Sequence, residues 1–206
     1  MRVLVTGGAG YIGSVLCRLL LERGFDVVCL DRFFFGFEPI SDVQDRLVAV
    51  RGDVRWFEPD LLRGVDVVFD LASLSNDPAG ELDPEKTMGI NFEGRVRVAR
   101  LAKKMGVSRY VLASSCSVYG FQDGLLCESS PVNPLTTYAK ANVLAEGEVL
   151  SLADRSFSVT VLRQATVYGY SPRMRFDLAV NGMVFGFYRD GRVPIMRDGR
   201  QWRLFV

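Results

Sequence analysis

The 206-residue sequence contains no histidine. Without an imidazole, a Ser-His catalytic triad and a histidine-bound metal are excluded, because both depend on that side chain. Proton transfer in any reaction must then fall to Tyr, Lys, Asp, Glu or Cys. The lack of histidine therefore limits the types of catalytic and metal site that the protein can have.

Cysteines, long apolar runs and excess charge are also scarce. The four cysteines form no CxxC pair and no metal-ligand spacing, so we expect them to be reduced and no metal to be bound. No stretch approaches the roughly 18 apolar residues of a membrane-spanning helix, and the first residues read as a strand rather than a signal peptide. The 25 basic and 24 acidic side chains leave a net charge of +1, too little for nucleic acid as the main partner. We therefore expect a cytoplasmic protein that binds neither membranes nor nucleic acid.

Short apolar, β-branched runs alternate with helical patterns along most of the chain. This order is typical of a parallel sheet covered by helices on both faces, so we predict an α/β fold with a doubly wound, Rossmann-like sheet. Helices over 11–23 and 84–105 are each followed by a glycine stop, at Gly24 and Gly106, and Asp83 is predicted to cap the second helix. Six strands buried on both faces are predicted, at 2–6, 26–30, 46–50, 65–70, 109–113 and 158–162.

The first predicted strand runs into a glycine-rich segment at 6–13, TGGAGYIG, and then into a helix. In this setting Gly7 permits a tight turn, Gly10 lets a pyrophosphate approach the backbone, and Gly13 lets the helix pack on the strand. Asp31 follows Gly13 by 18 residues, where a carboxylate accepts hydrogen bonds from ribose hydroxyls and disfavours a 2′-phosphate. We therefore predict bound NAD. Arg32 would relieve that repulsion and keeps NADP as the less favoured alternative.

Asp53 belongs to a Gly-Asp-Val segment that follows the third predicted strand. It is either an adenine contact or a cap of the next turn, and both alternatives stay open. The residues predicted to bind the cofactor at this end of the sheet are Gly7, Gly10, Tyr11, Ile12, Gly13, Asp31, Arg32, Asp53 and Val54.

A second polar group follows the fifth predicted strand. It comprises SSCSVYG at 114–120 and YAKAN at 138–142, which opens the next helix after a long loop. Open α/β sheets bind ligands at the carboxyl ends of their strands. A tyrosine there can remove a proton from an alcohol if a neighbouring cation lowers its pKa. By themselves, however, a serine and a tyrosine are commonplace, and a structural role is the more frequent explanation.

Taken together, the motifs resemble the extended short-chain dehydrogenase/reductases, in particular the NAD-dependent nucleotide-sugar epimerases and dehydratases. The resemblance covers nearly the whole chain. It implies that Ser115 is catalytic and holds the substrate, that Tyr138 is the general base and a cofactor contact, and that Asn91 orders the active site. It further implies that Leu71, Ala72 and Ser73 line the cofactor. The motifs that carry it are TGGAGYIG at 6–13, Asp31, GDV at 52–54, LAS at 71–73, Asn91, SSCSVYG at 114–120 and Tyr138.

Two positions next to the catalytic serine bear on the reaction type. Cys116 and Ser117 stand where sugar 4,6-dehydratases of this family carry an acidic pair. The resemblance therefore favours epimerisation of a nucleotide-diphosphate sugar, with transient hydride transfer to NAD at sugar C4. A dehydratase or a reductase of the same fold is an alternative, and a homodimer is implied by analogy.

One position departs from the family pattern Tyr-x-x-x-Lys. The fourth residue after Tyr138 is Asn142, and Lys140 at i+2 points toward the opposite side of the helix. We still assign Asn142 to the catalytic group and to the cofactor site, because an amide can hydrogen-bond a ribose hydroxyl. The missing charge leaves open a slow enzyme, a cation supplied from elsewhere such as the Arg-rich tail, or a cofactor-binding protein without turnover. The pattern also predicts that Asn142→Lys would raise the rate.

The end of the chain is basic, with seven arginines and three aspartates over 171–206. We predict an NAD-binding domain at 1–165 and an incomplete substrate lobe at 166–206, because family members continue past this point. The resemblance implies that Thr166 contacts nicotinamide or sugar, that Asn181 holds the nucleotide-sugar, and that Arg203 grips its diphosphate. For Thr166 and Asn181, ordinary turn or cap roles fit as well.

Overall fold

The computed structural model describes residues 1–193, 195, 198 and 204–206, and shows a six-stranded, wholly parallel sheet in the order β3-β2-β1-β4-β5-β6. The α/β, doubly wound prediction is confirmed. The strands are β1 Arg2–Thr6, β2 Asp26–Asp31, β3 Val48–Arg51, β4 Val67–Asp70, β5 Arg109–Ser115 and β6 Ser158–Gln164. The helices are α1 Tyr11–Glu22, α2 Asp77–Leu82, α3 Pro84–Met88, α4 Arg95–Lys104, α5 Thr137–Ser151 and α6 Ala179–Asp190, with short 3-10 turns at Glu38–Arg46, Pro59–Leu62 and Cys116–Tyr119.

The sheet separates two apolar layers. Alternate residues of a strand point to opposite faces, so Leu4 packs in one layer while Val3 and Val5 pack in the other. The first layer includes buried residues of α4 and α5, and the second includes buried residues of α1. Strand order reverses between β1 and β4, which opens a crevice at their carboxyl ends.

The edge strands differ from the prediction that every strand is buried on both faces. Val48 in β3 is 50% exposed and Leu162 in β6 is 43% exposed. Each edge strand has a single strand neighbour, so one of its long sides is left uncovered by the sheet. The prediction is therefore wrong for β3 and β6, although both segments do form strands.

The predicted helix over 84–105 is interrupted. It consists of α3, a π-helical segment Gly89–Gly94, and α4. The Asp83 side chain caps α3 by accepting from Lys86 N at 2.9 Å, as predicted. Gly24 and Gly106 adopt φ values of +78° and +84°, which confirms both glycine stops.

After β6 the chain returns to the beginning of α1. The Tyr11 hydroxyl donates to the Gly169 carbonyl at 2.7 Å. The Ser171 hydroxyl donates to the Tyr11 carbonyl at 2.7 Å and lies 3.1 Å from the hydroxyl of Ser14. The segment after β6 therefore covers the first turn of α1. None of the described helices is long and apolar enough to cross a membrane.

Candidate active site

The glycine turn joins β1 to α1 at the crevice. Gly7 adopts φ +67°, a conformation that other residues rarely take, and donates its N–H to Leu30 O at 2.8 Å. A Cβ built on Gly13 would lie 2.2 Å from Gly7 O, so only glycine lets the helix approach the turn this closely. Gly10 donates to Gly7 O at 3.0 Å and leads into the helix N-terminus. The geometry of this turn fits a pyrophosphate held at the start of α1.

Asp31 ends β2 beside the glycine turn. Its two carboxylate oxygens each accept one backbone hydrogen bond, from Ala9 N at 3.0 Å and from Phe33 N at 2.7 Å. A carboxylate oxygen has two acceptor positions, so each retains capacity for a ribose hydroxyl. The residue is partly exposed, so its carboxylate is accessible to a ligand at this end of the sheet, and its contact with an adenosine ribose remains a prediction.

Asp53 holds two arginines at the same end of the sheet. Its carboxylate lies 2.8 Å from Nη2 of Arg55 and 3.1 Å from Nη1 of Arg32. Burial alone would raise the pKa of Asp53, but the hydrogen bonds from Arg55 outweigh it and the pKa is lowered. Its Oδ1 also accepts from the backbone N–H of Arg55 at 3.0 Å, which matches the turn-capping alternative. Arg32 is thus paired with a carboxylate, and the neighbouring Val54 is buried in the core.

The loop after β4 lies directly against the glycine turn. A Cβ on Gly7 would be 3.0 Å from Ala72 Cα. Thr6 Oγ1 accepts from Leu71 N and Ala72 N, both at 3.1 Å. The hydroxyl of Ser73 is buried and has no hydrogen-bond partner among the described residues, as expected of a group that a ligand satisfies. The loop therefore packs against the glycine turn, and its contact with the cofactor remains a prediction.

Asn91 fixes the far side of that loop. Its Oδ1 accepts from Leu74 N at 2.8 Å and its Nδ2 donates to Leu74 O at 3.0 Å. The side chain is fully buried in the π-helical segment, so it acts on the loop rather than at its surface. π-Helical turns are frequent at functional sites. The ordering role that the resemblance implies is consistent with this clamp.

Ser115 and Tyr138 lie on two elements that pack together. Ser115 is the last residue of β5, and its Oγ accepts from Ser117 N at 3.2 Å. Tyr138 lies in the first turn of α5, which packs against β5 and the turn Cys116–Tyr119. The start of α5 is fixed by the Thr136 side chain, which accepts from Ala139 N at 3.1 Å. The Ser117 hydroxyl is buried without a partner among the described residues.

Asn142 faces the interior rather than the cleft. It is 0% exposed, its Nδ2 donates to Tyr138 O at 3.0 Å, and its Oδ1 accepts from Nη1 of Arg95 at 2.9 Å. A ribose could reach this amide only if the side chain moved, so direct cofactor contact remains a prediction. Lys140 is exposed.

Sequence reasoning missed Arg95. A signal existed, because Arg95 falls on the same helical stripe as the buried residues Val98, Ala99 and Ala102. A charged residue on an apolar stripe implies a buried partner.

The residues predicted to bind the sugar are distributed beyond β6. Thr166 is half-buried and pairs through its backbone with Leu204 and Val206. The Asn181 amide accepts from Gly169 N at 3.0 Å and donates to the Tyr11 hydroxyl at 3.0 Å and to Arg175 O at 3.1 Å. Asn181 therefore ties the segment after β6 to α1. Arg203 lies outside the described residues.

Comparison with known proteins agrees with this geometry. Residues 3–206 match the model of the NAD dependent epimerase/dehydratase family. A UDP-glucose epimerase of Bacillus subtilis, YtcB, itself uncharacterised, is 30% identical over 100% of this chain and 68% of its own length. UDP-glucuronic acid decarboxylase 1 of Arabidopsis thaliana is 30% identical over 100% of this chain and 48% of its own length.

A solved structure matches the fold as a whole. MoeE5 in complex with UDP-glucose and NAD superposes with a TM-score of 0.87 and 34% identity, over 100% of this chain and 67% of that one. The glycine turn, Asp31 and the loop after β4 all fit the dinucleotide that this family uses. The chain belongs to the NAD-dependent epimerase/dehydratase family, whose fold and cofactor it shares.

Proposed function

We propose that the protein epimerises a nucleotide-diphosphate sugar, most simply at C4, with NAD as its cofactor. The observation that carries this proposal is the placement of Ser115 at the end of β5 and of Tyr138 in the first turn of α5, beside the crevice lined by the glycine turn. Strand ends at such a crevice are where open α/β sheets bind ligands. The family match and the UDP-glucose in the MoeE5 complex support the substrate class.

In the proposed mechanism the protein moves one proton and orients one hydroxyl. Tyr138 takes the proton of the sugar hydroxyl, while the Ser115 hydroxyl hydrogen-bonds to the same oxygen and stabilises the charge that develops there. NAD, when bound, supplies the ring that accepts and returns a hydride. The Asn91 clamp and the Thr6 hydroxyl keep the wall at 71–74 in place.

The position of Asn142 gives it a supporting part in this proposal. Its amide donates to the Tyr138 carbonyl from inside the protein, so it steadies the first turn of α5. Sugar binding is proposed for Thr166, Asn181 and Arg203, with Asn181 acting chiefly by anchoring the segment at 169–175. A homodimer and a cytoplasmic location are proposed by analogy with the family.

The side chains beside Ser115 favour epimerisation over dehydration. Cys116 and Ser117 offer neither a carboxylate to remove a ring proton nor a carboxylic acid to protonate a leaving hydroxyl. A binding protein without turnover, the alternative that Asn142 raised, is not favoured, since the relatives named above are enzymes by description.

An assay of sugar interconversion tests the proposal. The chain is incubated with NAD and UDP-glucose, UDP-galactose or UDP-glucuronic acid. The products are separated by chromatography, and their masses are measured by mass spectrometry. We expect the epimer, with no net NADH and no change in mass. Tyr138→Phe should lower the rate about 100-fold or more, because general base catalysis contributes about 10²–10⁴-fold.

The control is Tyr188→Phe, which removes a phenol that is 88% exposed on α6 and should leave the rate unchanged. Loss of water or of carbon dioxide from the sugar would assign the protein to another branch of the family. A chain that binds NADH but converts none of these sugars would end the proposal.

A further inference from the structure

Arg95 is a fully buried arginine below the candidate site. It is the first residue of α4, it is 0% exposed, and it donates from all three of its nitrogens. Nε reaches Asp70 Oδ2 at 3.3 Å and Nη1 reaches Asn142 Oδ1 at 2.9 Å. Nη2 reaches the Asp70 carbonyl at 3.1 Å and also donates to the carbonyl of Ala113.

The charge of this guanidinium is balanced within the cluster. Asp70 is also 0% exposed, and besides Arg95 it accepts from the Thr6 hydroxyl at 2.5 Å and from the Tyr110 hydroxyl at 2.6 Å. Burial, reinforced by Asp70, raises the pKa of Tyr110 well above its usual value, so its phenol stays protonated and remains a donor. The cluster holds one positive and one negative charge away from water.

The groups that Arg95 contacts are the supports of the two catalytic candidates. Ala113 lies two residues before Ser115 on β5, and Asn142 lies one helical turn after Tyr138 on α5. Asp70 ends β4 immediately before the loop that lines the cofactor. A single planar group therefore connects two strand ends and one helix.

We propose that Arg95 is a positioning residue that sets the spacing between Ser115 and Tyr138. The inference rests on the function proposed above and adds to it the origin of the site's geometry. A buried ion pair is a poor source of stability, because apolar side chains of equal volume would often serve as well. Apolar contact is not directional, whereas the guanidinium fork fixes both the distance and the angle of its partners.

The test compares Arg95→Met, Arg95→Lys and the control Arg97→Met. Arg97 lies two residues further along α4, is partly rather than fully buried, and donates to the Phe57 carbonyl at 3.0 Å, away from α5. For each protein we measure kcat and KM for the sugar, the Kd of NADH, and urea unfolding, all at a temperature where every variant is folded.

We expect Arg95→Met to lower kcat about 10- to 100-fold with KM and the Kd of NADH within about threefold of wild type, since small misplacements of reacting groups can cost about 100-fold. Arg95→Lys keeps a charge opposite Asp70 and should recover stability, but a single ammonium cannot span both Ala113 and Asn142, so kcat should stay low. Arg97→Met should leave kcat unchanged. If kcat follows stability across all variants, or if Arg95→Met keeps the wild-type kcat, Arg95 is a structural residue only.

Amide hydrogen exchange separates this inference from the proposed reaction. If the wild-type chain converts no sugar, the proposed function fails, and exchange still decides the role of Arg95. We then expect Arg95→Met to speed exchange about tenfold within 113–119 and 137–145 while Arg97→Met does not. Unchanged exchange in both segments would overturn the inference.

Discussion

A lysine introduced at position 142 tests how the interior of the site is charged. Asn142→Lys restores the Tyr-x-x-x-Lys spacing, and the sequence pattern predicts a faster enzyme. The structure predicts an unstable one. Asn142 is 0% exposed and its Oδ1 lies 2.9 Å from Nη1 of Arg95, so the new ammonium would face a buried guanidinium whose partner, Asp70, is already engaged.

The loss of folding free energy can be calculated for two states of the introduced lysine, charged and neutral. Two unit charges about 4 Å apart repel by about 4 kcal/mol at an effective dielectric constant of about 20. If the lysine instead releases its proton at pH 7, the cost is about 1.36 kcal/mol for each of roughly 3.4 pH units, or about 4.6 kcal/mol. The charged lysine has the smaller cost of the two, so we expect the free energy of unfolding to fall by about 4 kcal/mol.

Urea unfolding at pH 7 and pH 9.5 measures this penalty. The pKa of the introduced lysine is lower in the folded than in the unfolded state, so the deficit is large at neutral pH and shrinks as the pH rises toward about 10.4. Combining Arg95→Met with Asn142→Lys removes the repulsion and should recover part of the stability. An Asn142→Lys protein as stable as wild type at pH 7 would refute the reasoning.

Three further substitutions, the first with a matched control, test the remaining parts of the site. Gly13→Ala should abolish NADH binding and lower the free energy of unfolding by at least about 1–3 kcal/mol through overpacking. The control Gly147→Ala, whose Cβ meets nothing within 4 Å, should raise that free energy by about 0.5–1 kcal/mol. NADH titration and urea unfolding measure both effects, and tight NADH binding by Gly13→Ala would contradict the turn geometry. Asn91→Ala should cost about 1–3 kcal/mol and speed amide exchange over 71–76, and unchanged exchange there would show that the clamp is dispensable. Because the pKa of Asp53 is lowered by Arg55, Arg55→Met should lower the free energy of unfolding by about 1–2 kcal/mol at pH 7, and by progressively less as the pH falls below about 3.9. A loss of stability that stays constant as the pH is lowered would argue against this pairing.

The parts of the site that the sequence could predict are those set by local geometry. The three glycines, Asp31 and the helix stops depend on neighbours within the same strand–turn–helix unit, so their spacing alone indicates their roles. The strand segments could equally be predicted, because each is a short apolar, β-branched run between turn or helix signals.

The contacts that the sequence could not predict join distant elements. Arg95 meets Asn142 across 47 residues and Asp70 across 25, and no local pattern encodes such a pairing. The exposure of β3 and β6 likewise depends on their place at the sheet edges, which only the strand order reveals.

The return of the chain from β6 to α1 also bears on synthesis. Ser171 bonds to Ser14 and Tyr11 across 157 and 160 residues, and Gly169 bonds to Tyr11 across 158. On the ribosome, where a chain emerges in the N- to C-terminal direction at about 5–20 residues per second, Tyr11 leaves the exit tunnel 160 residues before Ser171. A nascent chain can therefore fold its first βαβ unit early, yet covers the first turn of α1 only after Ser171 has left the exit tunnel.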